Sequence, residues 1–153
     1  MTTPPAIVDA EVMPPDVRLR RTPTVYIVER DEAVRRSLTM LCRGSEFAVS
    51  AYASVQALLE NPRPKPPGCI IVDDQLPDMN ALQILQALHE ADIGLPIIIL
   101  GADSDVQTAV NTMRAGAFYY LEKPYLRWSL LESVSEAVER SHAPGLSSSI
   151  KTR

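Results

Sequence analysis

Three charged residues stand where short apolar runs of the sequence end. Glu29 follows one such run, Asp73 follows another, and Lys123 comes soon after a third. A carboxylate that accepts a phosphoryl group needs its charge and that of the incoming oxygens neutralised, by a divalent cation on oxygen ligands and by a fixed ammonium. If folding brings the three side chains together, Asp73 can act as the nucleophile and Lys123 as the ammonium.

The apolar runs have the pattern of buried strands that alternate with helices. Short runs such as Ile70-Ile71-Val72 lack the alternation of a half-exposed strand, whereas the segments between them carry apolar residues at helical spacing. The predicted strands are 25–28, 47–52, 69–72, 96–100 and 118–121. The predicted helices are one over 31–43, three that begin after Ser54, Asn80 and Asp105, and a last one that carries Leu126, Leu130 and Leu131. Ser, Asn and Asp are common helix N-caps.

Alternation of this kind predicts an α/β fold, in which five parallel strands form a doubly wound sheet with helices on both faces. In such sheets the functional residues lie beyond the carboxyl ends of the strands, at the switch point of the winding. The residues to inspect are therefore Glu29 and Arg30, Asp73 and its neighbour Asp74, Gly101, and Lys123. We expect them to converge in one crevice.

Composition excludes several other classes of protein. The chain has 153 residues, 46% of them hydrophobic, which suits one globular domain. A net charge of −4 argues against binding nucleic acid through a basic face. No run is long enough to span a bilayer, and the start lacks the pattern of a secretory signal, so a cytoplasmic protein is expected. Cys42 and Cys69 are interpreted as core residues, and two histidines offer no zinc site.

Four motifs in order give the chain a family resemblance over roughly residues 24 to 140. They are Val25-Tyr26-Ile27-Val28-Glu29-Arg30-Asp31-Glu32, Ile70-Ile71-Val72-Asp73-Asp74-Gln75-Leu76-Pro77-Asp78-Met79-Asn80, Ala115-Gly116-Ala117 and Tyr120-Leu121-Glu122-Lys123-Pro124. The chain resembles a response regulator receiver domain of the CheY-like superfamily, similar to receivers of the FixJ type. The resemblance implies a flavodoxin-like (βα)5 fold with strand order 2-1-3-4-5. The proline pairs near the start and the Ser-rich end add a proline-rich arm at 1–23 and a flexible tail at 142–153 to a receiver domain at 24–141.

The resemblance assigns roles to individual residues. It makes Asp73 the phosphoacceptor and Lys123 the residue that contacts the phosphoryl group, with a cis peptide bond before Pro124. Mg²⁺ would be held by Glu29, by Asp73 and by the backbone carbonyl of Gln75. An aromatic switch residue would stand at position 120, which is Tyr120 here.

Two positions depart from the family pattern. Arg30 stands where the family has a second metal-binding acid, and Gly101 stands where it has the Thr or Ser that couples phosphorylation to the aromatic switch residue. One hypothesis is that Arg30 pairs with Asp73 or Glu29 and takes the place of the cation, which would impair magnesium binding. The alternative is that Arg30 points into solvent. Ser104 is a further candidate for the missing hydroxyl.

The expected function is that of a single-domain response regulator in a two-component phosphorelay. It would receive a phosphoryl group on Asp73 from a sensor histidine kinase or phosphotransfer protein, and would act through a homodimer or a downstream protein partner. The alternative is a degenerate pseudo-receiver that signals by binding or dimerisation alone, as Arg30 and Gly101 suggest. Neither is an enzyme beyond autocatalytic acceptance of phosphate. A flavodoxin is disfavoured because the loop after the first strand is acidic rather than rich in glycine and hydroxyl groups.

Overall fold

Five strands alternate with five helices in the computed structural model, which describes residues 22–61, 64–102 and 105–142. The strands are β1 (Thr24–Val28), β2 (Ala48–Tyr52), β3 (Gly68–Asp73), β4 (Ile97–Gly101) and β5 (Tyr119–Glu122). The helices are α1 (Glu32–Gly44), α2 (Val55–Leu59), α3 (Ala81–Glu90), α4 (Val106–Arg114) and α5 (Arg127–Ser141). Each strand lies within one residue of its predicted bounds at either end.

All five strands are parallel and form one sheet in the order β2-β1-β3-β4-β5. The predicted fold class and strand order are therefore confirmed. Val28 at the end of β1 pairs with Val72, and Asp73 at the end of β3 pairs with Leu100 in β4. This register brings the carboxyl ends of the three central strands to one edge of the sheet.

The sheet is covered on both faces, and β3 is buried along its whole length. One face packs against α1 and α5, where Ile71 and Cys69 meet residues such as Leu130. The other face packs against α2 and α3, where Ile70 and Val72 lie in the same cluster as Ile84. Burial on both faces explains why the β3 run shows no alternation of apolar and polar residues.

The two cysteines belong to the core, as the sequence indicates. Cys42 and Cys69 are buried and carry free thiols. Burial raises the pKa of the Cys42 thiol to about 11, so this thiol stays protonated at neutral pH.

Side-chain caps begin four of the helices, three of them at the predicted caps Ser54, Asn80 and Asp105, while Asp31 and Leu126, which were predicted to lie within their helices, come just before them. Asp31, Ser54, Asn80 and Asp105 each accept a hydrogen bond from a backbone N–H in the first turn of the helix that follows. Helix α5 begins after Leu126 without a side-chain cap. These caps satisfy donors that a helix N-terminus otherwise leaves unpaired.

Most of the predicted arm and tail lies outside the described residues. Residues 1–21 and 143–153 are not described, and neither are 62–63 and 103–104, which include the candidate Ser104. In the described part of the chain, none of the helices has the length and apolar character needed to cross a membrane.

Gly68 permits a close approach between β1 and β3. A Cβ atom at Gly68 would lie 2.3 Å from the backbone oxygen of Thr24, whereas one at Gly94 would meet nothing within 4 Å. We predict that Gly68→Ala lowers the free energy of unfolding by about 1 to 3 kcal/mol, because backbone cannot yield as a side chain can. Urea denaturation measures the change. Gly94→Ala is the control, and equal effects of the two substitutions would refute the explanation.

Candidate functional site

The site is built around an ion pair between two strand ends. The Lys123 ammonium donates a hydrogen bond to Oδ2 of Asp73 and forms a salt bridge with it. The Asp73 side chain is 4% exposed and that of Lys123 is 32% exposed. Lys123 is placed by its backbone N–H, which donates to the Gly101 carbonyl oxygen at 2.8 Å. The structure thus brings Asp73 and Lys123 together, as the sequence predicts.

The second oxygen of Asp73 is held by the loop that follows β3. The backbone N–H of Gln75 donates to Oδ1 of Asp73 at 2.7 Å. Burial by itself acts to raise the pKa of the Asp73 carboxyl, but hydrogen bonds with Glu29, Lys123 and the Gln75 backbone outweigh it and hold the pKa below its usual value. Asp73 is therefore ionised at neutral pH and can act as a nucleophile.

Glu29 lies beside Asp73 with one oxygen unsatisfied. Its side chain is buried, Oε2 accepts a hydrogen bond from the Asp31 backbone N–H at 2.9 Å, and Oε1 has no partner. Burial, together with the neighbouring Asp73, raises the pKa of Glu29 to about 7. Two carboxylates cannot donate to each other, so Oε1 is satisfied only when a proton or a cation lies between Glu29 and Asp73.

Arg35 in α1 holds the loop that carries Glu29. One guanidinium nitrogen, Nη1, donates to the carbonyl oxygen of Glu29 at 2.7 Å and to that of Arg30 at 3.3 Å. These bonds fix the backbone between β1 and α1, and with it the direction of the Glu29 side chain. Sequence inspection missed this residue, although a basic side chain one helical turn after the Asp31 cap is a recognisable signal.

Arg30 does not lie on either carboxylate. It is exposed, and the salt bridge at Asp73 is made by Lys123. The hypothesis that Arg30 pairs with Asp73 or Glu29 and takes the place of a cation is therefore wrong for this structure, and the alternative of a solvent-directed Arg30 describes it. The physical reason is geometric: Lys123 already occupies the carboxylate from the β5 side.

Tyr125 is a second residue near the site that sequence inspection missed. It is half-buried, and burial followed by the charges of Asp73 and Glu29 raises the pKa of its hydroxyl. The signal in the sequence is its place directly after Lys123 and Pro124, whose peptide bond is cis.

The residues present fit a magnesium ion with few protein ligands. Among the described residues no three acidic, histidine or cysteine side chains form a metal-binding group. Mg²⁺, however, is commonly held by one or two carboxylates and keeps several waters. The unpartnered Oε1 of Glu29 and the neighbouring Asp73 carboxylate supply such a pair. The Gln75 carbonyl lies in the loop that follows Asp73.

Gly101 lies in the same crevice but offers no side chain to it. A Cβ atom built on Gly101 would lie 1.9 Å from the hydroxyl oxygen of Tyr120. The phenol of Tyr120 therefore fills the space in which a side chain at position 101 would stand.

A doubly wound parallel sheet with a buried aspartate, a second carboxyl group and a lysine at its carboxyl edge is the arrangement of a receiver-type signalling domain. Comparison with known proteins gives the same result: the family model of the response regulator receiver domain matches residues 25–135. The chain belongs to the response regulator receiver domain family. This family consists of signalling modules of two-component systems, whose phosphorylation site typically uses Mg²⁺.

Similar curated proteins are transcriptional regulators. The chain is 35% identical over 115 residues to transcriptional regulatory protein TdiR of Thauera aromatica, covering 75% of this chain and 51% of that protein. It is 34% identical over 116 residues to transcriptional regulatory protein FixJ of Rhizobium meliloti, covering 76% and 57% respectively. The chain thus spans about half the length of the curated relatives it matches.

Solved structures of receivers resemble this fold. The structure described as FixJ-N has a TM-score of 0.68 and 32% identity, and the match covers 78% of this chain and 96% of that one. The response regulator StyR has a TM-score of 0.74 and 28% identity, with 86% and 67% covered.

The raised pKa of Glu29 predicts a pH-dependent stability in the metal-free protein. Folded Glu29 binds a proton more tightly than its unfolded form, with a pKa of about 7 against 4.5. Protonated Glu29 therefore adds to the free energy of unfolding below pH 4.5, and this contribution is lost as the pH rises through about 7. We expect Glu29→Gln to raise the free energy of unfolding at about pH 8 by about 1 to 3 kcal/mol, since each tenfold change in proton affinity is worth about 1.4 kcal/mol.

Urea unfolding in a chelator at about pH 5 and about pH 8 measures this effect. The control is Glu32→Gln, which makes the same charge change at an exposed side chain paired with Arg36. A similar gain in both variants, or a wild-type stability that does not fall with pH, would contradict the prediction.

Proposed function

We propose that this receiver accepts a phosphoryl group on Asp73 from a sensor histidine kinase or a phosphotransfer protein. The observation that carries the proposal is the buried, ionised Asp73, held by Lys123 and the Gln75 N–H beside the unsatisfied oxygen of Glu29. A nucleophilic carboxylate with fixed charges around it suits in-line phosphoryl transfer, in which the protein mainly positions the reactants and stabilises charge.

The proposed reaction forms one bond and breaks another. An oxygen of Asp73 attacks phosphorus, and the bond between phosphorus and the donor nitrogen or oxygen breaks, leaving the electron pair on the donor. The Lys123 ammonium moves from the carboxylate towards the phosphoryl oxygens and offsets their negative charge, while Asp73 loses its own negative charge by forming the acyl phosphate. Mg²⁺ held by Glu29 and Asp73 would neutralise further charge on those oxygens.

The second candidate is a pseudo-receiver that signals without phosphate. It is supported by Arg30, which replaces an acid beside the carboxylates, and by Gly101, which has no hydroxyl for a phosphoryl oxygen. Both candidates act through protein contacts, and apolar side chains exposed on α4 and β5 support a homodimer or partner there. They are Val106, Val110, Met113 and Tyr119.

Chemical trapping tests the proposal. The protein is incubated with acetyl phosphate or phosphoramidate and Mg²⁺, and any acyl phosphate is reduced with borohydride, which converts the modified aspartate to homoserine. Peptide mass spectrometry then finds the modified position. Modification at residue 73 supports the first candidate, while no modification by these donors or by a histidine kinase favours the pseudo-receiver.

A further inference from the structure

The Tyr120 side chain occupies the space that a side chain at position 101 would need. A Cβ atom on Gly101 would lie 1.9 Å from the Tyr120 hydroxyl oxygen, 2.2 Å from Cζ and 2.7 Å from Cε2. Real Cβ atoms do not approach other heavy atoms closer than about 3.0 Å. The observed position of Tyr120 and any side chain at residue 101 therefore exclude each other.

Strand pairing and packing hold Tyr120 in this place. Tyr120 pairs with Ile99, and Gly101 pairs with Glu122 two residues further on. The Tyr120 ring is partly buried and packs against the core cluster that contains Ile99. Its neighbour Tyr119, one residue earlier, has a side chain that is 44% exposed. The two adjacent tyrosines therefore differ in their access to solvent.

Gly101 is also linked to the reacting carboxylate through backbone rather than through a side chain. Its carbonyl oxygen accepts from the Lys123 N–H, and Lys123 pairs with Asp73. A glycine has no hydroxyl that could follow a phosphoryl oxygen and open space for the ring. A change at Asp73 thus has no side chain at position 101 through which to move Tyr120.

We propose that Gly101 keeps open the space in which the Tyr120 ring lies, so that Tyr120 stays in this inward position whether or not Asp73 carries a phosphoryl group. The part that concerns phosphorylation rests on the proposed function. A partner that contacts the surface of α4 and β5 then meets the same tyrosine position in both states. A partner that distinguishes the two states must instead contact the phosphoryl group or the loops around Asp73.

Nitration of tyrosines, quantified residue by residue by mass spectrometry, tests the proposal, with Tyr119 as the internal reference. In the wild type, Tyr120 should react severalfold more slowly than Tyr119, because its ring is partly buried against the core whereas Tyr119 is 44% exposed. The ratio of the two rates should stay the same after addition of beryllofluoride or acetyl phosphate. Gly101→Ala should accelerate nitration of Tyr120 and leave that of Tyr119 unchanged.

A matched variant and a second measurement separate this effect from general loosening. Gly94→Ala adds the same atom where nothing lies within 4 Å and should leave the ratio unchanged. If Gly101→Ala is too unstable to nitrate, melting temperatures decide: alanine at position 101 should lower the melting temperature when Tyr120 is present and much less in a Tyr120→Ala background.

The outcomes that would overturn the proposal are specific. They are equal reactivity of Tyr119 and Tyr120 in the wild type, a Tyr120 rate that changes with the phosphodonor while Asp73 is labelled, or identical effects of Gly101→Ala and Gly94→Ala. If Asp73 is never labelled, the proposed function fails, and the alanine variants alone decide whether the inward position of Tyr120 depends on Gly101.

Discussion

Replacing Asp73 by Asn is expected to abolish phosphoryl labelling of the protein. The amide of Asn is a poor nucleophile, and no other carboxylate of the site shares the geometry of Asp73, whose oxygens are held by Lys123 and by the Gln75 N–H. Labelling with acetyl phosphate or phosphoramidate should fall by at least about a hundredfold, since nucleophile removal in comparable sites costs several orders of magnitude. Borohydride trapping and mass spectrometry measure the loss.

Asp74→Asn provides the matched control one residue away. The Asp74 side chain accepts a hydrogen bond from the Gln75 side chain at 3.1 Å, whereas the salt bridge of Lys123 goes to Asp73. Its substitution should leave labelling close to the wild-type level. Labelling that survives Asp73→Asn, or that disappears in Asp74→Asn, would place the acceptor elsewhere.

The Asp73→Asn variant should remain folded, because two electrostatic effects oppose each other. Lys123 loses its partner, but its side chain is 32% exposed and can turn to water. Glu29 loses the neighbouring negative charge that helps to raise its pKa. A circular dichroism melt close to that of the wild type would show that lost labelling reflects lost chemistry rather than unfolding.

Replacing Arg30 by Asp is expected to give the second largest effect, a gain in magnesium affinity of about tenfold or more. Arg30 is exposed and follows directly after Glu29, so its positive charge acts on the site through solvent rather than through a salt bridge. The substitution removes that charge and adds a carboxylate one residue along the chain from Glu29, whose Oε1 is unpartnered. The charge at position 30 changes by two units, from repelling the cation to attracting it, so even a strongly screened fraction shifts the binding equilibrium.

Isothermal titration calorimetry measures the magnesium affinity, and the rise in melting temperature with added Mg²⁺ provides a second reading. Arg43→Asp makes the same change of net charge in the last turn of α1, at the opposite edge of the sheet, and should leave the affinity nearly unchanged. Equal affinities of wild type and Arg30→Asp, or equal gains in the two variants, would show that residue 30 does not control the metal site.

Periodicity was sufficient to place the elements of this fold. The buried run of β3 and the caps Ser54, Asn80 and Asp105 each follow from local rules of burial and hydrogen bonding, and the structure has them where those rules predict. The convergence of Asp73 and Lys123 could also be predicted, because parallel strands present their carboxyl ends at one edge.

The direction of long side chains could not be predicted in the same way. Arg30 was a reasonable partner for Asp73 by charge, but Lys123 reaches that carboxylate from β5, and Arg30 lies exposed. Arg35 instead binds the loop backbone through its guanidinium. Such choices depend on competition between side chains that lie far apart in the chain.

By itself, the sequence determined the parallel sheet and the identity of the charged residues at its edge, because these depend on residue type and on spacing of two or about 3.6 residues, and it indicated the family through the resemblance of four motifs. Only the tertiary structure decided that Glu29 has an unsatisfied oxygen beside Asp73 and that the Tyr120 phenol occupies the side-chain space of Gly101. Both facts arise from contacts between separate strands, whose distances follow from sheet register and packing rather than from local sequence.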